Sequence, residues 1–182
     1  MIGARSGMPR FGAMPIHPAY RTPKGLTDEI RGYLAAQGNV VLATVDDDGS
    51  PHLTEVLFLI DEEDRVQMPT PHNTRKYKNL QKRPVATVFF YDQPGWASAT
   101  GAVELWTGDR AAEANRRNRD RLLTESGHET IGRVLAANED TTIVLTPDRW
   151  LSWNVSRTME AIEEAGVDLE THPPGGWWKD LS

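Results

Sequence analysis

The strongest constraint on this chain is a punctuated β-pattern that begins at Asn39. Apolar, β-branched runs recur there and stop at acidic turns. Asn39–Asp46 (NVVLATVD) meets Asp46-Asp47-Asp48-Gly49, Pro51–Ile60 (PHLTEVLFLI) meets Asp61–Asp64, and Arg65–Thr70 follows. Short runs broken by Asp and Gly fold as antiparallel strands joined by hairpins. These three runs therefore read as a meander. Val85–Tyr91 (VATVFFY) is almost wholly apolar and is expected to be buried on both faces, with a turn at Asp92–Gly95. Trp96–Trp106 (WASATGAVELW) alternates small and large residues and reads as a long strand, Gly101 marking a bulge or close approach. Thr141–Asn154 returns to β, with Pro147 at an edge or kink.

Helical signals are shorter. Thr27 can cap a helix with Asp28 and Glu29 in its first turn, Ile30, Tyr33 and Leu34 on one face, and Gly38 at its end. Asn73 or Thr74 can cap another that stops before Pro84. Asp109–Ser126, Glu129–Ala137 and Thr158–Ala165 complete the set. The fold class is mainly β with short helices, its six antiparallel strands closing into a small barrel. No GxGxxG follows a strand and no Walker motif occurs, so Rossmann and P-loop readings fail. Domain organisation reads as an N-terminal arm (1–26), a barrel domain (27–156), and a C-terminal helix and tail (157–182). The arm holds four Pro and four Gly with only basic charges, and is either a disordered lead or a partner-wrapping segment.

Composition narrows the function classes. A length of 182 residues suits one domain. The absence of cysteine excludes disulfides, thiolate metal sites and a cysteine nucleophile. A formal charge of −6 argues against nucleic acid, and no apolar run is long enough to span a membrane. The first residues show no secretory h-region, so the cytoplasm is the expected compartment. The five His form no HxxxH or HExxH pattern, so no metal site is expected, and no Ser sits in a GxSxG context. His52 and His72 read as backbone or water partners. Arg110, Arg116, Arg117, Arg119 and Arg121 are interspersed with Asp109, Glu113 and Asp120, so pairing one helical turn apart explains them better than an RNA site. Trp150 and Trp153 read as core or interface, and Trp177 and Trp178 as a tail that packs back onto a partner or cleft.

Thr70–Leu80 (TPHNTRKYKNL) carries the candidate chemistry. Arg75 and Lys76 fall in the first turn of a helix, where cations oppose the dipole. The same spot offers free backbone N–H groups and the hydroxyls of Thr70 and Thr74. Together these donors make a phosphate cradle. The competing reading is a basic helix, Arg75, Lys76, Lys78, Lys82 and Arg83, facing water.

The stretch from Gly38 to Trp106, and more weakly the closing strand Thr141–Asn154, resembles the pyridoxamine 5'-phosphate oxidase-like split β-barrel superfamily of flavin and deazaflavin enzymes. The ordered series carries the likeness: a strand with a D-G turn, a return strand with L-T-x-V, a strand ending in Thr-Pro, then T-R-K-x-x-N-L before Pro. The resemblance implies a six-stranded split barrel and a homodimer with cofactor clefts at the subunit interface. It implies FMN, or alternatively coenzyme F420, as cofactor and a small organic molecule as substrate. Arg75 and Lys76 would meet the cofactor phosphate beside Thr74. Thr54 and Val56 would line the ring edge through backbone groups, and Met68, Pro69 and Thr70 would floor the cleft. Trp96 would approach across the dimer interface. Glu55 departs from the uncharged residue common in relatives. The arginine-containing substrate motif of pyridoxamine phosphate oxidase itself does not occur near the C-terminus. The resemblance thus points to hydride transfer by the smaller reductase branches, with no catalytic residue assigned. The alternative is a non-catalytic flavin or haem binder or sensor on the same fold.

Overall fold

The computed structural model describes residues 25–92, 95–166, 168 and 170. The readings of the N-terminal arm before Gly25 and of Trp177 and Trp178 lie outside them, as does part of the Asp92–Gly95 turn. The chain divides into two compact units. Thr22–Val155 is the larger. Of the other, which includes Ser156–Ser182, the main described element is the helix that begins at Val155.

Seven strands form one antiparallel sheet: β1 (Asn39–Val45), β2 (Pro51–Leu57), β3 (Leu59–Ile60), β4 (Val66–Thr70), β5 (Val85–Asp92), β6 (Gly95–Thr107) and β7 (Thr141–Asn154). Their order is β2-β1-β5-β6-β7-β4-β3. The helices are α1 (Asp28–Ala35), α2 (Arg75–Lys82), α3 (Gly108–Leu122), α4 (Glu125–Gly127), α5 (Arg133–Asn138) and α6 (Val155–Glu164). A π-turn, His128–Gly132, links α4 to α5 where one helix is expected.

Three expectations need correction. The strand count is seven, because the run Pro51–Ile60 breaks at Phe58. The Phe58 ring is buried edge-on against Phe90, centroids 4.9 Å apart. Its carbonyl accepts a 2.6 Å bond from Arg121 Nη2 instead of a ladder bond. The barrel is also not closed. The sheet curls until β2 and β4 approach one another, but no ladder joins them, and β3 alone continues the pairing with β4. Finally, β5 is buried on one face only. Ala86, Val88 and Phe90 point into the core, whereas Val85, Phe89 and Tyr91 are exposed.

The first two turns share one design. In each, the first residue's N–H donates to the fifth residue's carbonyl: Asp46 to Ser50 (2.9 Å) and Asp61 to Arg65 (3.0 Å). The fourth residue takes a left-handed conformation, Gly49 at φ 86° and Asp64 at φ 61°. Glycine and, less readily, aspartate tolerate that region. Asp61 is buried. Burial raises its pKa, but bonds from the Arg65 and Glu63 N–H groups, Arg65 Nε and Gln67 Nε2 outweigh this and hold it below the usual aspartate value.

The core lies inside the curl. Val40, Leu42, Val56, Met68, Val88 and Phe90 pack there with Trp150, which stacks 6.2 Å from Phe90 as its expected core role requires. Ile30 and Leu34 of α1 plug one end, and Thr27 caps that helix by accepting from the Ile30 N–H at 3.3 Å. The helix ends at Ala35, three residues before Gly38. Helix α3 is docked by buried amides. Asn115 Nδ2 donates to the carbonyls of Glu139 and Thr141, and Asn118 Nδ2 to that of Gln67.

Gly101 sits at the β6–β7 register shift, where a Cβ would lie 1.9 Å from the Thr146 carbonyl oxygen. Gly101→Ala is therefore expected to lose about 3 kcal/mol or more of stability in urea denaturation. Gly32 lies within α1 with nothing within 4 Å of its would-be Cβ. Gly32→Ala is expected to gain about 0.5–1 kcal/mol in the same measurement.

Candidate functional site

The site is built around the β1–β2 turn and α2. Asp46 closes the turn and is 6% exposed. Its carboxylate accepts from Arg75 Nε and Asn79 Nδ2, both at 2.8 Å, and its second oxygen meets Arg75 Nη2 at 2.5 Å. Asn79 also donates to Thr44 Oγ1 at 3.1 Å. Arg83 Nη1 reaches the Asp46 carbonyl at 2.6 Å, and Lys82 pairs with Asp47. A buried carboxylate needs such partners. The basic residues of α2 thus divide: Arg75, Lys82 and Arg83 bind the acidic turn, while Lys78 is exposed. The picture of a wholly solvated basic helix is replaced by a docked one.

Lys76 differs from all of these. It is half-buried and has no hydrogen bond or ion pair among the described residues. Burial lowers its pKa from the usual lysine value. Thr74 occupies the N-cap position but makes no capping bond. Its hydroxyl donates to the Pro71 carbonyl at 2.8 Å and lies 3.2 Å from the Thr70 hydroxyl. The first-turn N–H groups of α2 are thus left without a side-chain cap beside an uncompensated cation. That donor set suits a phosphate.

The other sequence-derived residues, except Trp96, lie on the two strands that border the seam. Thr54 and Val56 lie on β2, half-buried and buried respectively. Met68, Pro69 and Thr70 are the last residues of β4, all buried. Both strands border the opening between β2 and β4. Met68 is a core side chain, so it can offer a cleft only its backbone. Glu55 faces the opposite side of β2, where it accepts a 2.9 Å bond from Asn39 Nδ2. Trp96 is not brought to this group. It pairs with Tyr91 and Trp153 on the outer face, its ring 5.9 Å from Phe89. His72 binds Asp140 through its backbone N–H and its ring.

Sequence reading missed Asp46 and Asn79 as parts of the site. Asp46 was legible only as a turn residue. Among the described residues, no group of three or more His, Asp or Glu is placed to hold a metal, and no helix is long and apolar enough to cross a membrane.

An antiparallel sheet of seven strands that curls without closing defines a split-barrel protein. The chain belongs to the pyridoxamine 5'-phosphate oxidase family, whose sequence model matches residues 26–154. Solved structures share the fold. The conserved hypothetical protein Rv2991 of Mycobacterium tuberculosis is 17% identical, with a TM-score of 0.64 over 80% of this chain and 93% of that one. HutZ, the haem storage protein of Vibrio cholerae, is also 17% identical, with a TM-score of 0.55 over 71% of this chain and 94% of its own. A Clostridium acetobutylicum protein related to general stress protein 26 is 16% identical, with a TM-score of 0.53 over 69% of this chain and 86% of that one. No curated protein matches the sequence.

Asp46→Asn removes the charge that both Arg75 and Asn79 address. Loss of these charge-assisted bonds is expected to destabilise the protein by about 1.5–3 kcal/mol in chemical denaturation. Lys78→Gln, on the exposed side of the same helix, is expected to change stability by less than about 0.5 kcal/mol.

Proposed function

We propose that the protein is a cytoplasmic, homodimeric oxidoreductase that holds FMN, or alternatively F420, at the β2–β4 seam and moves a hydride to or from a small organic substrate. The observation that carries this reading is Lys76, a half-buried cation with no anionic partner among the described residues, beside a helix start without a side-chain cap. Lys76, the Thr74 hydroxyl and the first N–H groups of α2 are the phosphate donors. Arg75 stays on Asp46 and contributes by fixing the helix. Thr54, Val56, Met68, Pro69 and Thr70 offer backbone along the ring, the first two from β2 and the others from β4.

When bound, a flavin or deazaflavin supplies the hydride chemistry, while the chain binds, orients and shields it. No acid–base pair is needed within the seam. The solvent side of the sheet supports the dimer. Leu53, Val85, Phe89 and Tyr91 are exposed there, and the Phe89 and Tyr91 rings stack 6.4 Å apart. An apolar face of this kind favours a partner. A second copy would bring Trp96, on that same outer face, toward the cleft.

The purified protein is expected to be yellow with flavin absorbance, or to bind F420 on titration. A haem Soret band without turnover would instead favour the storage or sensor reading. Lys76→Gln is expected to lower FMN or F420 affinity at least about tenfold, the value of one charge-assisted phosphate contact, with Lys78→Gln unchanged. Equal affinity in Lys76→Gln and wild type overturns the phosphate assignment. For the interface, Phe89→Glu with Tyr91→Glu is expected to convert a dimer to a monomer in light scattering. A wild-type monomer overturns the shared cleft.

A further inference from the structure

Helix α3 carries five arginines, and their partners separate them. Arg110 lies 3.8 Å from Glu104, Arg116 binds Glu113 and Asp120, and Arg119 binds Glu139 at 2.8 Å. The pairing expected from the sequence holds for Arg116, whereas Arg110 and Arg119 find acids outside the helix. Among the described residues Arg117 and Arg121 make no close ion pair; the charge of Arg117 is felt by Glu113, one turn before it, but that carboxylate is bound to Arg116. Arg117 and Arg121 stand four apart, so they share one face of the helix.

That face looks onto α1 and β3. Arg121 Nη2 donates to the carbonyls of Gln37 (3.0 Å) and Phe58 (2.6 Å), and its guanidinium lies 4.9 Å from the Phe58 ring centre. Neutral oxygens and a ring do not neutralise it. Among the described residues Arg117 makes no hydrogen bond, and the Nε atoms of both arginines are buried without an acceptor. A cavity of about 260 Å³ opens beside Arg121, walled by Leu34, Ala35, Phe58, Leu59 and Ile60. A second, of about 360 Å³, includes Arg117 and shares Arg31, Leu59 and Ile60 with the first. Acids at this place are mostly engaged: Asp61 accepts from Arg65 and Gln67, and Asp64 binds Arg31. Glu62 is exposed and also borders the second cavity.

We propose that this groove binds a small monocarboxylate with an apolar body. The flat guanidinium fork matches a carboxylate, and the aliphatic wall takes an alkyl or aryl group. A neutral apolar ligand would leave both arginines unpaired, and a bare inorganic anion would leave the apolar wall unused. Burial, which lowers the pKa of Arg121, is relieved by an anion here. None of the lining residues belongs to the seam, so the site is separate from the proposed cofactor cleft.

The test is calorimetric titration of the full chain with octanoate, 1-octanol and sulfate. Octanoate is expected to bind at least about tenfold more tightly than either of the others. Arg117→Gln, which breaks no bond of the fold, is expected to weaken octanoate about tenfold or more while leaving the Tm and FMN or F420 binding unchanged. No octanoate binding, octanol or sulfate binding equally well, or unchanged affinity in Arg117→Gln overturns the proposal. Should Arg117→Gln not fold, the amide shifts of Leu59 and Ile60 in the wild-type protein decide. Movement with octanoate but not with octanol or sulfate supports the site, and any other pattern overturns it.

Discussion

The placement of α2 rests on one buried carboxylate. Asp46 ends β1, closes its turn and gathers Arg75 and Asn79 from the helix, while its carbonyl holds Arg83. An unpaired charge at that depth would be strongly unfavourable, so the helix must present its cation and amide there. Successive residues on a helix point about 100° apart. With Arg75 turned onto Asp46, Lys76 is turned away from it, into a half-buried position with no anionic partner among the described residues. The acid thereby separates two adjacent cations into a structural one and one available to a ligand.

The seam depends on a second local choice. Pro51–Ile60 has the composition of one continuous strand, and the backbone leaves the ladder only at Phe58. The driving force is tertiary: the ring fills the core against Phe90 while Arg121, distant in sequence, takes the carbonyl. β3 beyond the break continues the pairing with β4, and β2 before it does not. A strand that obeyed its propensity would seal the opening along which Thr54 and Thr70 lie.

What could be read in advance follows from this. The turns at Asp46–Gly49 and Asp61–Asp64, the strand Thr141–Asn154 and the cap at Thr27 are local chemistry, and the sequence displays them. Gly101 announced a close approach because a strand interior has few other uses for glycine. The break at Phe58, the open seam and the exposure of Phe89 and Tyr91 are decided by contacts between distant segments. Alternation within VATVFFY cannot be seen when both faces are apolar. In the candidate site, T-R-K pointed to α2 but did not show that Arg75 is held by Asp46 while Lys76 is not. That division needs Asp46, which lies 29 residues away from Arg75 and reads as a simple turn former.

Charge pairing also separates the partly buried cations among the described residues. The chain has more acids than bases, 26 against 20, so a cation left without a carboxylate is not short of candidates. Arg65, Arg75, Arg116 and Arg119 each have an acid in contact. Among the described residues Lys76 and Arg121 have none, and burial lowers the pKa of both. A charge that is desolvated without compensation destabilises the fold in the free protein and gains from any anion that reaches it. The same free energy that makes these positions unfavourable when empty becomes affinity when they are filled. On the two proposals made above, Lys76 beside an uncapped helix start is the place for a phosphate, and the Arg117–Arg121 face against an aliphatic wall the place for a carboxylate.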